Sequence, residues 1–203
     1  MYGRALADRG GLRLLEHSGR TTHLPVHVWT ADEAPGDRGL LDRCRGPVLD
    51  VGSGPCRLAA ALSARGMAAL GIDIAPLAVA LARSRGAIAL ERSVYQRLPG
   101  ERRWTSVLLA DGNVGIGGDP LRLLRRVRDL LAPDGALLVE AGAPGSVSES
   151  QRLRLQDDMG NSEEFPWARL SVEDVVPVGI EAGLHPTEIW RDAGRWFARL
   201  GPP

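Results

Sequence analysis

The stretch Pro47-Val48-Leu49-Asp50-Val51-Gly52-Ser53-Gly54, residues 47–54, decides the fold of this chain. A short, mostly apolar run ends in two glycines separated by one residue, and a run rich in alanine and leucine follows. This pattern predicts a β-strand that turns sharply into a helix. Glycines in such a turn let the backbone pass close beneath a ligand, because they have no Cβ atom. In a doubly wound sheet, ligands bind at such turns, beyond the carboxyl ends of the strands.

Outward from this turn, short apolar runs alternate with helical segments, which predicts parallel βαβ units. The helical segments cover residues 55–65 and 76–85, and a third begins at Asp119-Pro120, a pair typical of a helix start. The predicted strands cover residues 47–51, 67–73, 87–91, 104–110 and 136–141. We therefore expect an α/β fold built on a doubly wound, mostly parallel sheet.

The C-terminal part predicts one more helix and a β-hairpin. The helix has a polar start, an internal proline and a glycine end, at Ser171 with Asp174, Pro177 and Gly183. The proline predicts either a kinked helix or one that begins later. The hairpin is predicted from two short runs around a turn, residues 187–190, 192–194 and 195–200.

We expect a single domain over residues 1–203, because 203 residues with 44% apolar content suffice for one sizeable core and are too few for two ordinary domains. The domain is divided into an N-terminal cover, a ligand-binding core, an insertion and a C-terminal helix with hairpin: residues 1–45, 46–141, 142–170 and 171–203. The insertion holds two candidate short strands, residues 152–156 and 167–170. The cover and the insertion are each large enough to close an active site.

The charges of the chain balance, with 25 basic and 25 acidic residues. A nucleic-acid-binding protein usually has a basic excess, because phosphate neutralisation supplies most of its affinity. We therefore expect no nucleic-acid partner and favour a small molecule. All 25 basic residues are arginine, which we interpret as the codon bias of a GC-rich genome. Without lysine, Schiff-base chemistry and a lysine general base are excluded.

The sequence predicts a cytoplasmic protein without a membrane partner. The N-terminus has no apolar segment of the kind found in secretory signals. No apolar run approaches the roughly 18 residues that a membrane helix needs. Cys44 and Cys56 are not spaced as a metal or redox pair, so we expect two free thiols and no metal site.

The spacing after the glycines argues against a dinucleotide site. The dinucleotide pattern G-x-G-x-x-G requires glycine at position 57, where this chain has Arg57. Pro55 also removes a backbone N–H at the helix start, and a pyrophosphate site depends on such donors. A cofactor without phosphates fits this turn better, although a nicotinamide-dependent oxidoreductase remains an alternative.

The segment Val48–Gly54 resembles the first motif of class I methyltransferases that use S-adenosylmethionine (AdoMet), written [DE]-x-G-x-G-x-G. Gly71-Ile72-Asp73-Ile74 is similar to their second motif, an acidic residue at the end of the second strand. The resemblance implies a seven-stranded sheet with an antiparallel C-terminal hairpin, and AdoMet as the cofactor. It also implies that Asp73 holds the ribose hydroxyls, while Asp50 with Gly52 and Gly54 cradles the methionine part. Asp73 as a partner of the following helix start stays open as the other interpretation.

The resemblance extends to the ends of the third and fourth strands. Ser93 and Val94 follow the third strand, where the family binds adenine, and Leu108-Leu109-Ala110-Asp111-Gly112-Asn113 lies where it lines the cofactor and the acceptor. The expected cofactor-binding residues are therefore Asp50, Gly52, Ser53, Gly54, Asp73, Ile74, Ser93, Val94, Asp111, Gly112 and Asn113.

Two positions depart from the family pattern. Cys56 stands where the family usually has its third glycine, and we expect a slight displacement of the first helix and not a lost site. Ser93 stands where many members have an aspartate that binds the adenine amino group, so a weaker contact is expected there. These departures favour one further alternative, an AdoMet-binding module without transferase activity.

No catalytic residue is assigned from the sequence. Methyl transfer from a sulfonium is an in-line displacement whose leaving group needs no acid, so holding donor and acceptor in line can supply much of the rate. A hydroxyl acceptor would be helped by a base, and His27 is the histidine best suited to that role. Glu140 and Asp111 are rival candidates, and a surface histidine is the simpler interpretation of His27.

The acceptor is expected to be a small molecule. An Asn/Asp-Pro-Pro-Tyr/Phe signature, common in enzymes that methylate amino groups of nucleic acids and proteins, is replaced here by Asp111-Gly112-Asn113-Val114. Secondary metabolism is a compatible setting, by association only. The cover, with Trp29, and the insertion, with Phe165 and Trp167, are predicted to face each other over the methyl group as a mostly apolar pocket.

Overall fold

The computed structural model describes residues 1–8 and 10–202. Its strands are β1 (Arg13–Glu16), β2 (Thr21–His23), β3 (Val48–Val51), β4 (Ala69–Asp73), β5 (Ala89–Glu91), β6 (Trp104–Leu109), β7 (Leu131–Ala141), β8 (Glu149–Asp157), β9 (Gly160–Asn161), β10 (Phe165–Arg169), β11 (His185–Asp192) and β12 (Arg195–Gly201). Its helices are α1 (Tyr2–Asp8), α2 (Val26–Trp29), α3 (Asp37–Leu41), α4 (Arg57–Ala64), α5 (Pro76–Ser84), α6 (Pro120–Leu130) and α7 (Val172–Glu181). Within these described ranges, no helix is long and apolar enough to cross a membrane.

Seven strands form the central sheet in the order β11-β12-β7-β6-β3-β4-β5. Strands β5, β4, β3, β6 and β7 run parallel, while β12 pairs antiparallel with β7 and β11 antiparallel with β12. The chain leaves β3 towards β4 and β5 and returns to β6 on the other side of β3. The switch point therefore lies between β3 and β6, and the predicted doubly wound fold with its C-terminal hairpin is confirmed.

The central strands are buried on both faces, which explains their unbroken apolar runs. Because side chains alternate along a strand, Leu49 and Val51 pack on one face of the sheet, in the apolar core against α6 and α7. Val48 and Leu108 pack on the opposite face, in the core against α3, α4 and α5. Two layers of helices thus hold the carboxyl ends of β3, β4 and β6 in fixed positions.

Several predicted boundaries shift. Helix α4 begins at Arg57 and not at residue 55, because Cys56 adopts a left-handed conformation with φ of 61°. Helix α7 begins directly after Ser171, whose hydroxyl accepts from the N–H of Asp174, so the later start suggested by Pro177 is wrong. The predicted hairpin is confirmed; its strands are longer than expected, and Ala193 and Gly194 form the tight turn with positive φ.

A second, antiparallel sheet joins the N-terminal cover to the insertion. Its strand order is β10-β8-β1-β2, with β9 paired to β8. The insertion strands were predicted from the sequence, in shorter form, but β1 and β2 were not. In the pairing of β1 with β8, Leu14 lies opposite Leu155. An isolated antiparallel bridge between Ile116 and Trp167 then ties this sheet to the loop after β6, so the second sheet stands over the carboxyl edge of the central one.

Candidate cofactor and acceptor site

A cavity of about 780 Å³ lies between the carboxyl edge of the central sheet and the second sheet. Its core-side lining comes from the loops that follow β3, β4, β5 and β6. Of the eleven residues expected to bind the cofactor, the lining includes Gly52, Ser53, Gly54, Asp73, Ile74, Ser93, Val94, Asp111 and Asn113. Asp50 and Gly112 lie outside the lining.

The loop after β3 is a shallow cradle that only glycine can form. Gly52 and Gly54 have φ of 69° and 53°, in the region that favours glycine. A Cβ atom added to Gly52 would lie 2.8 Å from Asn113 Nδ2, and one added to Gly54 would lie 2.8 Å from Tyr2 Oη. Asn113 Nδ2 in turn donates to the carbonyl oxygens of Val51 and Gly52, each at 2.9 Å, and so fixes the loop.

Asp73 connects this loop to the end of β4. Its Oδ2 accepts from the N–H of Gly54 and its Oδ1 from the N–H of Ala75, both at 2.8 Å. Burial raises the pKa of this carboxyl group, and the backbone hydrogen bonds oppose that shift. The contact with Ala75 agrees with a role at the start of α5. A carboxylate has about four lone-pair sites, so Asp73 can still accept from a ligand in the cavity.

Asp50 supports the cradle from below. It is 2% exposed, and the nearby backbone N–H of Ala59 in α4 favours its charged form. Burial, reinforced by the nearby charge of Asp111, raises the pKa of Asp50 to about 7. Asp50 therefore lies beneath the loop and does not line the cavity. Gly112 is exposed and lies beside the cavity.

The loop after β5 forms another part of the cavity lining. Val94, which is buried, and Ile74, which is exposed, both line the cavity. Ser93 Oγ accepts from the N–H of Tyr95 at 3.3 Å, which leaves the hydroxyl proton available to a ligand. This part of the lining offers apolar surfaces and one hydroxyl donor.

The fold accommodates Cys56 at the position where the family usually has glycine. Cys56 is fully buried, and its sulfur occupies the space beside Gly71 of β4, where a Cβ atom on Gly71 would collide with it. Ser53 Oγ would lie 2.6 Å from the same Cβ atom. The missing side chain at Gly71 thus makes room for the cysteine, and the loop keeps its cradle shape.

A buried ion network, which sequence reasoning missed, lies below the cavity. The Arg57 guanidinium contacts Asp37 at 2.8 Å and Asp111 at 3.1 Å, and both Arg57 and Asp37 are at most 3% exposed. Arg195 joins Asp37, Asp111 and Glu140 at 2.8, 3.2 and 2.7 Å. Glu140 also accepts from the backbone N–H of Asp111 at 2.6 Å. These five side chains connect α3, α4 and the ends of β6, β7 and β12.

Asp111 and Arg57 are the members of this network that line the cavity. The φ of Asp111, 54°, is unusual for a residue other than glycine, and the surrounding ion pairs hold it there. Burial raises the pKa of Asp111 to about 6, although Arg57 and Arg195 both favour the charged form. A carboxyl group is therefore fixed at the carboxyl end of β6, next to the glycine cradle.

The other end of the cavity is formed by the N-terminal cover and the insertion together. Its side chains are Tyr2, Leu14, Leu24, Trp29, Leu155, Ser162, Glu163, Glu164, Phe165, Pro166 and Trp167. The four histidines, His17, His23, His27 and His185, are exposed and lie outside the lining. The geometry therefore does not support His27 as a base, and Glu140 is turned to Arg195 and not to the cavity.

The comparisons agree with this architecture. Residues 48–135 match the family model described as a methyltransferase domain. A search of curated proteins found no match. The solved structure of an S-adenosylmethionine-dependent methyltransferase from Bacteroides fragilis, in complex with S-adenosylhomocysteine, is similar over 99% of this chain and 94% of that chain, with 24% identity and a TM-score of 0.85.

Two further solved structures share the fold at lower similarity. One is a sugar N-methyltransferase from Streptoalloteichus, with 16% identity, a TM-score of 0.60 and coverage of 82% of this chain and 85% of that chain. The other is a 1,6-didemethyltoxoflavin-N1-methyltransferase from Burkholderia thailandensis, with 18% identity, a TM-score of 0.55 and coverage of 75% and 69%. The chain thus has the class I methyltransferase fold. The shared fold and the match of residues 48–135 to the methyltransferase-domain model both agree with the class I methyltransferase domain predicted from the sequence.

The packing of Cys56 against Gly71 predicts a coupling between the two positions. We expect Gly71→Ala to lower the free energy of unfolding by about 1–3 kcal/mol, because the new methyl group overpacks the space of the Cys56 sulfur. In a Cys56→Gly background the loss should be smaller. Urea unfolding of the wild type, both single variants and the double variant measures the coupling. Equal losses in the two backgrounds would contradict this packing relation.

The raised pKa of Asp50 predicts a pH-dependent stability. Between its ordinary pKa of 3.8 and its raised pKa of about 7, Asp50 is protonated in the folded protein and charged in the unfolded chain, so this carboxyl group makes stability fall as pH rises through that window. Relative to the wild type, Asp50→Asn should gain stability from pH 4 to pH 7, at about 1 kcal/mol per pH unit. Urea unfolding across the window tests this, with the exposed Asp134→Asn in β7 as control. A constant difference for Asp50→Asn would disprove it.

Proposed function

We propose that this enzyme transfers the methyl group of AdoMet to a small molecule bound in the same cavity, and that it acts in secondary metabolism. The observation that carries the proposal is the continuity of the cavity. It runs from the glycine cradle and Asp73 to the pocket between the cover and the insertion. In this view residues 46–141 bind the cofactor, and residues 1–45 and 142–170 select the acceptor.

The residues at the cradle fit the cofactor. Gly52 and Gly54 keep the floor open where any Cβ atom would intrude. We assign the methionine part to this floor beside Asn113 and Asp111, and the ribose hydroxyls to Asp73. The adenine ring would lie among Ile74, Val94 and Ser93, which line the cavity beyond the ends of β4 and β5.

When bound, the cofactor supplies a methyl carbon on a positively charged sulfur, which leaves as a neutral thioether with the bonding electron pair. The protein's part is to hold the acceptor atom in line with that carbon and to exclude water. The ion network contributes by fixing Asp111 beside the cradle through Arg57 and Arg195. The second sheet contributes by closing the cavity over the carboxyl edge.

Three observations support a small acceptor. A volume of about 780 Å³ is typical of a small-molecule site, and the cofactor takes part of it. The roof consists of the chain's own second sheet, which leaves a pocket and not an open groove. The net charge of zero gives no attraction for nucleic acid. The two structural neighbours named for a sugar and for didemethyltoxoflavin are consistent with this class of acceptor.

Transfer can be tested with AdoMet that carries a deuterated methyl group. The protein is incubated with it and with a low-molecular-mass extract of the source organism, and products that gain the deuterated methyl group are sought by mass spectrometry. We expect labelled products with the wild type and fewer with Asp73→Ala at limiting AdoMet. Binding of AdoMet without any labelled product would favour the binding-module alternative.

The role of Asp73 gives a separate prediction. Asp73→Ala should weaken S-adenosylhomocysteine by about 1.5–3 kcal/mol, the usual scale for hydrogen bonds to a charged group. Isothermal titration measures the affinity, and thermal unfolding establishes that the variant is folded. Asp134→Ala, outside the cavity, is the matched control. An unchanged affinity in the folded variant would refute ribose binding by Asp73.

A further inference from the structure

The acceptor end of the cavity has mostly apolar and aromatic walls. Leu14, Leu24 and Leu155 line it from the cover and the insertion. The aromatic rings stand in two edge-to-face pairs, Tyr2 with Trp29 and Phe165 with Trp167, each with centroids 6.1 Å apart. Such walls suit a flat or apolar body and also present ring faces to a cation.

The charged groups at this end are two carboxylates of the loop between β9 and β10. Glu164 is paired with Arg152 at 3.1 Å and with Arg154 at 3.4 Å. Glu163 is exposed and, among residues 1–8 and 10–202, forms neither an ion pair nor a side-chain hydrogen bond. One of the two carboxylates is therefore available to a ligand.

The backbone at Glu163 is held in place. Ser162 Oγ donates to the carbonyl oxygen of Glu163 at 2.7 Å and accepts from the N–H of Leu155 at 2.9 Å. On the other side, Arg152 donates to the carbonyl oxygen of Glu164 at 3.2 Å. These bonds hold the backbone of Glu163 at the cavity rim, from which its side chain can reach a ligand.

The arginines that line the cavity lie at the end assigned to the cofactor. Arg57 is buried and committed to Asp37 and Asp111. Arg92 stands beside Ser93, on the side assigned to adenine. At the acceptor end, the charged residues of the cavity lining are Glu163 and Glu164, and Arg152 and Arg154 engage only Glu164. The Glu163 carboxylate is therefore the charged group there that an ammonium group of a ligand can pair with.

We propose that the acceptor is a small molecule with an apolar or aromatic body and an amino group, and that Glu163 recognises its ammonium form. This inference rests on the proposed function. For transfer, the ammonium group first gives a proton to the Glu163 carboxylate or to solvent. The nitrogen lone pair then bonds to the methyl carbon as the carbon–sulfur bond breaks, with its electron pair kept by sulfur. Glu163 is thus a specificity residue that can also take up the proton.

Three ligands that share a phenylethyl group test this assignment: 2-phenylethylamine, 2-phenylethanol and 3-phenylpropanoate. Each is titrated into the full chain saturated with S-adenosylhomocysteine, and tryptophan fluorescence is followed because Trp29 and Trp167 line the cavity. The amine should bind about three- to ten-fold more tightly than the alcohol, and the carboxylate most weakly. Glu163→Gln should remove the preference for the amine, whereas Glu33→Gln, exposed and outside the lining, should keep it.

The possible outcomes distinguish this inference from the proposed function on which it rests. An amine preference that Glu163→Gln abolishes supports the inference. If S-adenosylhomocysteine binds but the amine is not preferred, or if Glu163→Gln keeps the preference, Glu163 is not the amine-recognition residue. Failure of the wild type to bind S-adenosylhomocysteine would overturn the proposed function and the inference with it.

Discussion

The buried ion pair of Arg57 with Asp37 is the interaction on which the site depends. It joins the N-terminal cover to the first residue of α4, directly behind the glycine cradle, at 2.8 Å. Removing one member of a buried pair costs about 3–5 kcal/mol, because the other charge is left without its partner. Through Asp111 and Arg195 the same charges reach the ends of β6 and β12. One network thus fixes the floor of the cavity and part of its cover.

The roof depends on a different kind of contact. Strands β1 and β8 bring the cover and the insertion together by backbone pairing, and the Ile116–Trp167 bridge anchors them on the loop after β6. Gly115 permits this approach, since a Cβ atom there would lie 2.5 Å from Trp167 Nε1. The floor is therefore held mainly by charge and the roof by backbone hydrogen bonds and packing, and the cavity exists where the two meet.

Local patterns predicted the central sheet well, because strand burial, glycine turns and helix caps are encoded within a few residues. The family resemblance, and not local pattern alone, indicated the nine expected residues that line the cavity, from Gly52 to Asn113. Local patterns failed where partners are distant in sequence: Asp37 with Arg57, β1 with β8, and Cys56 with Gly71. His27 was favoured by residue type alone, and the fold leaves it exposed. Nothing local distinguishes a histidine in a pocket from one on the surface.

Position 57 departs from the dinucleotide pattern and has a structural role of its own. A dinucleotide turn needs glycine there for close packing of helix and strand. Here the side chain of Arg57 is 3% exposed and extends to Asp37 and Asp111. Glycine at this position would leave both carboxylates to Arg195 alone, in a region where burial already raises the pKa of Asp111 to about 6. The arginine that departs from the dinucleotide pattern is therefore also the residue that neutralises Asp37 and Asp111 beside the glycine cradle.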